Sequence, residues 1–128
     1  MIDHLSVIVS NYEKSKTFYS QALTATGHSR LVELPAAHGG QGGSAGFCHE
    51  DGSDFWISEG SAVTTPIHIA FRVPSRAAVD AFYKAAIAAG GRDNGAPGLR
   101  PRYHPNYYGA FVLDPDGHNI EAVCHEAE

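Results

Sequence analysis

The chain opens on an alternation. In HLSVIV, Leu5, Val7 and Val9 fall on one face and His4, Ser6 and Ile8 on the other, the period of a strand with one buried side. The period then changes. Tyr12, Phe18, Tyr19, Ala22 and Leu23 recur at helical spacing. Ser10 is the candidate N-cap, Glu13 completes a capping box, and Gly27 ends the helix. Short strands are predicted around 29–34, 44–49 and 54–58. The order then starts again. Ile67, Ile69, Phe71 and Val73 oppose His68, Ala70 and Arg72. A helix capped by Ser75 carries Val79, Phe82, Tyr83, Ala86 and Ile87 and stops at Gly90 and Gly91. Strands are predicted around 107–113 and 118–124, and EDGS (50–53) and DPDG (114–117) supply turns.

The recurrence is a repeat. His4 falls on His68, Val9 on Val73, Phe18 on Phe82, Tyr19 on Tyr83, Ala22 on Ala86 and Gly27 on Gly91, each pair 64 positions apart in a chain of 128 residues. The unit is βαβββ, used over 1–63 and again over 64–128. One α+β domain is expected, its modules forming a curved, cup-like mixed sheet.

Composition narrows the function. The chain is 43% hydrophobic and 18% charged, with a net charge of −5 and no Lys/Arg-rich run, so no nucleic-acid footprint is visible. No apolar run is long enough to span a bilayer, and no secretory signal pattern is seen. Cys48 and Cys124 are too few for a disulfide framework, which points to a reduced, cytoplasmic protein with both thiols acting as small apolar groups. PAAHGGQGGSAG (35–46) reads as a mobile connector. NGAPGLRPRYHPNYYG (94–109), with its prolines, arginines and tyrosines, reads as a pocket wall.

Of eight histidines, His4 and His68 share the repeat and sit opposite the apolar stripes of their strands. A lone strand histidine is ordinarily structural, but a third residue changes the reading. In HNIEAVC, Ile120, Ala122 and Cys124 share one face and Glu121 lies on the other with Asn119 and Val123. A mid-strand carboxylate among apolar residues needs a partner. His4, His68 and Glu121, on three strands, make a two-histidine, one-carboxylate set suited to one divalent transition metal ion with positions left for substrate.

HLSVIVSNYEKSKTFY, HIAFRV and DPDGHNIEAV together resemble the vicinal oxygen chelate superfamily, which includes glyoxalase I, bleomycin-resistance proteins, fosfomycin-resistance transferases and extradiol dioxygenases. The likeness spans essentially the whole chain. It implies paired βαβββ modules around a metal (iron, manganese, nickel, cobalt or zinc), ligands at His4, His68 and Glu121, and a homodimer whose sites are often assembled from both chains. It further implies a small-molecule substrate that chelates the metal through vicinal oxygens.

Departures from the family pattern refine this. Glyoxalase I-like members carry a fourth ligand where this chain has Ile57 or, if the DG turns are aligned, Trp56. Neither binds metal, and Glu59 is the nearby alternative. Extradiol dioxygenases have a tyrosine where this chain has Phe111. Lyase or isomerase chemistry is therefore favoured over ring cleavage. His104 is the candidate general base, with Tyr107 or Tyr108 as hydrogen-bond donors. Arg102, Arg100 and Arg72 are candidates for a substrate carboxylate or phosphate, and Trp56 and Phe47 for an apolar wall. The competing reading is a small-molecule-sequestering protein of the bleomycin-resistance type.

Overall fold

The computed structural model describes residues 2–36, 42–50, 52–61 and 65–128. Elements run β1 (Leu5–Val9), α1 (Tyr12–Ala22), a 3₁₀ turn (Leu23–Thr26), β2 (His28–Leu34), β3 (Ser44–His49) and β4 (Gly52–Glu59). Then come β5 (His68–Arg72), α2 (Arg76–Ala88), β6 (Arg92–Leu99), β7 (Tyr108–Leu113) and β8 (Asn119–Cys124). The βαβββ unit thus occurs twice. Each copy forms its own four-stranded mixed sheet, ordered β1-β4-β3-β2 and β5-β8-β7-β6, with the first and last strands of each unit parallel. The expected α+β architecture is present, built within one chain as two sheets and no closed barrel.

Local chemistry explains most boundaries. Asn11, rather than Ser10, caps α1: its side chain accepts from the Lys14 N–H at 3.0 Å. Ser10 instead donates through its backbone N–H and hydroxyl to Asp116. Ser75 caps α2, accepting from the Ala78 N–H at 3.2 Å. Gly27, with φ of 92°, terminates the first helical segment in the left-handed region that glycine tolerates. The stretch read as pocket wall is divided. Residues 92–99 form edge strand β6, and only 100–107 form a connecting turn, closed by Arg100 N–H donating to Tyr107 O at 2.7 Å. Pro97 is tolerated there because an edge strand does not need every N–H. Residues 37–41 of the glycine-rich connector, and Asp51 of the EDGS turn, lie outside the described residues.

One apolar cluster joins the helix-bearing faces of both sheets. Val9, Phe18, Leu23 and Ile57 of the first unit and Val79, Phe82, Val112 and Ile120 of the second are buried in it. Burying each such side chain contributes on the order of 2 kcal/mol. The units are also pinned by polar contacts. The buried Tyr19 hydroxyl donates to Asp114 at 2.5 Å, and Asp114 accepts from the N–H groups of Asp116 and His118. Because the core lies between the helix-bearing faces, the other two faces remain on the outside of the pair. Cys48 and Cys124 are both buried and unpaired. Among the described residues no helix is long and apolar enough to cross a membrane.

Candidate metal centre

The parallel register of β5 with β8 sets His68 beside Asn119 and Ala70 beside Glu121. Alternation then places His68 and Glu121 on the open face, with the small Ala70 side chain leaving room next to the imidazole. His68 Nε2 lies 3.1 Å from Glu121 Oε2. His68 Nδ1 lies 3.1 Å from the carbonyl oxygen of Asn119, which can only accept, so Nδ1 carries the proton. In the neutral imidazole, Nε2 therefore presents its lone pair to a carboxylate oxygen. Two lone pairs at that distance require a proton or a cation between them. A ring nitrogen oriented by a backbone carbonyl beside a carboxylate is the usual dress of a metal-binding histidine.

Glu121 is 1% exposed. Burial pushes its carboxyl above the ordinary range, while Tyr107, which donates its hydroxyl to Oε1, and His68 pull the other way. The same burial, and the bond to Glu121, raise the Tyr107 phenol. Phe111, directly opposite Glu121 in the β7–β8 register, stacks on His68 with ring centroids 6.2 Å apart. The Arg100 guanidinium lies 5.7 Å from the Phe111 centroid, anchored by Nη2 donating to Ala96 O at 2.7 Å.

His4 does not join this pair within one chain. It sits on the open face of the other sheet, its Nδ1 2.7 Å from Asp3 Oδ1. It lines a separate pocket of about 500 Å³ with Asp3, Ser6, Leu34, Ser44, Trp56 and Ser58. Among the described residues no three His, Cys, Asp or Glu side chains converge closely enough to hold a metal. The cause is the packing of the units through their helix-bearing faces, which leaves the two open faces unopposed.

The other candidates divide by strand alternation. Tyr108 faces the helix side of β7, where its hydroxyl donates to Asp80 at 2.8 Å and Arg76 lies over its ring, so it is not part of the centre. Phe47 is likewise a core residue, packed against Tyr19 and Phe55. Arg72 shares the open face with His68, its Nη2 3.7 Å from Glu126. Arg102 turns onto Tyr103, donating to its hydroxyl at 2.9 Å. Arg100 is thus the cation beside the pair. His104 is exposed, its Nδ1 accepting from the Asn106 N–H, and its ring meets His125, which in turn packs on Tyr107. Register also decides the fourth-ligand position. Ser6 pairs with Trp56 as Ala70 pairs with Glu121, so Trp56, not Ile57, is the structural counterpart of Glu121. Ile57 is fully buried, and Glu59 accepts from the Tyr12 N–H at the start of α1.

Sequence reasoning missed the Thr26–His28–Asp54 chain. Thr26 Oγ1 and His28 Nδ1 are 2.9 Å apart, as are His28 Nε2 and Asp54 Oδ1. Its members lie on separate elements with no shared pattern. They border a second cavity of about 630 Å³ that runs along β5 and also touches His68.

Paired βαβββ units, each with its own four-stranded mixed sheet and one bearing a His–Glu pair on its open face, define a duplicated α+β scaffold. The chain belongs to the Glyoxalase/Bleomycin resistance protein/Dioxygenase superfamily, whose family model matches residues 1–122. A glyoxalase/bleomycin resistance protein from Albidiferax ferrireducens T118 is similar at 27% identity and a TM-score of 0.78, over 97% of this chain and 98% of that one. A family enzyme from Burkholderia phytofirmans PsJN aligns at 19% identity and 0.70, covering 98% of each chain. A mutant of the fosfomycin resistance protein FosX from Listeria monocytogenes, complexed with Mn(II) and 1S,2S-dihydroxypropylphosphonic acid, aligns at 19% and 0.67, over 96% and 88%. No curated protein matches this chain in sequence.

Proposed function

We propose that the protein is a divalent-metal-dependent enzyme, of lyase or isomerase type, for a small metabolite that offers the metal two neighbouring oxygens. The observation that carries this reading is the His68 Nε2–Glu121 Oε2 approach at 3.1 Å, with Nδ1 committed to a backbone carbonyl. His68 and Glu121 of one copy, with His4 of a second copy, would hold the ion in a homodimer. When bound, it supplies Lewis acidity toward the chelated oxygens. The rest falls to the chain. Arg100 receives an anionic group on the substrate. Phe111 walls the site, and Trp56 of the second copy adds an apolar surface. His104, on the 100–107 turn, is the proton acceptor. Manganese, which the Listeria relative holds, is the first ion to try.

Elemental analysis tests the reading. Purified protein reconstituted with manganese, iron, cobalt, nickel or zinc is expected to retain about one ion per chain, and the His4→Ala/His68→Ala/Glu121→Ala variant none. Wild-type protein that retains no ion overturns it. The alternative, sequestration of a planar compound, is favoured by one feature. The Trp56 indole lies so close over Gly46 that a Cβ there would come within 2.7 Å of Cζ2, which makes a flat aromatic shelf in the His4 pocket. Ligand capture that survives loss of all three donors would support it.

A further inference from the structure

The two oxygens of Glu121 have different surroundings. Oε2 faces His68. Oε1 accepts the Tyr107 hydroxyl and is closed in on its far side by Gly109, where a Cβ would come within 3.0 Å of Oε1 and 3.2 Å of the Tyr107 ring. Tyr107 itself is firmly held. Its ring meets Tyr103 and His125 edge-on, each with centroids 5.2 Å apart. Its N–H donates to His104 O at 3.0 Å, and its carbonyl accepts from Arg100 N–H. The phenol thus occupies Oε1, while Oε2 is left turned toward the His68 ring nitrogen.

We propose that Tyr107 is a positioning residue that reserves Oε1 and leaves Oε2 as the single oxygen Glu121 offers to the metal. This rests on the metal-enzyme reading and deepens it. A carboxylate that binds through one oxygen leaves one more coordination position than a carboxylate that binds through two. On an ion that takes five donors, a substrate that chelates through two oxygens needs that position, and a ligand with one donor atom does not. Tyr107 therefore selects for chelating ligands as a class, without touching them.

The test uses cobalt-reconstituted protein and reads the visible cobalt absorption during titration with oxalate, a two-oxygen chelator, and with azide, a one-point ligand. Tyr107→Phe is expected to keep its cobalt, to show an altered cobalt spectrum, and to lose about tenfold in oxalate affinity, the lower end of what an outer-shell partner contributes to metal affinity or activity. Azide affinity should be little changed. Tyr107→Met also removes the phenol and should act in the same direction; it carries the test if circular dichroism shows that Tyr107→Phe does not fold. An unchanged spectrum and oxalate affinity, equal losses for both ligands, or a folded variant that takes up no cobalt would each overturn the proposal. Failure is separable from failure of the broader reading, because there the wild type itself takes up no cobalt.

Discussion

His28 shows how far one side chain's setting can depart from its sequence context. It is 7% exposed, held by Thr26 and Asp54, and packed edge-on against Phe71 of the second unit at 5.2 Å. Burial lowers its pKa below the ordinary 6.5, with Asp54 opposing and the nearby His49 assisting. Below about pH 6.5 the unfolded chain takes up a proton that the native chain resists. The stability due to a neutral His28 is present above that pH and is lost as pH falls through the native value. Metal-free protein should therefore show a falling melting temperature between about pH 7 and 5. His28→Gln, which keeps polar contacts but does not titrate, should flatten that slope; an identical slope would exclude His28 as its source. Nothing in the HSRLVEL stretch announces this, since Asp54 arrives from a strand two places away in the sheet. Glu121 was legible because its neighbours Ile120 and Ala122 fix its face by alternation alone.

At the scale of elements, the repeat carried most of the architecture. Ser75 and its helix, the β1 and β5 faces, and the DPDG turn follow directly from pattern. β6 did not, because RDNGAPGL has neither alternation nor β-formers, and its pairing with β7 is interrupted by register shifts at Gly95 and Gly98. An edge strand backed by β7 survives such a sequence through tertiary pairing. The arginine assignment failed for the same reason. Once β6 runs to Leu99, Arg100 is left over the sheet, and Arg102 rides the exposed turn. Contacts between the units were equally invisible, and one can be measured. Tyr19→Phe leaves the buried Asp114 without its phenol and should cost about 1–3 kcal/mol in urea unfolding. A change below about 0.5 kcal/mol would mean that the surrounding N–H donors suffice for Asp114.

For the whole molecule, the division of the proposed ligands His4, His68 and Glu121 between two outward faces has a stoichiometric signature. A chain with His4→Ala keeps His68 and Glu121, and a chain with His68→Ala/Glu121→Ala keeps His4. Each variant alone should hold no metal. Co-refolded in equal amounts, they should regain about a quarter of the wild-type sites, since half the pairs are mixed and each mixed pair has one complete set. No recovery would argue that the three donors do not meet across copies. The placement of Trp56 adds something of a different kind. It is the chain's only tryptophan, and it lies on the same open face as His4. Intrinsic fluorescence is therefore a signal from one address, with no other indole to dilute it. Occupation of that face by a second copy, a quenching ion or a stacked ring would register in the emission of the native, unlabelled protein.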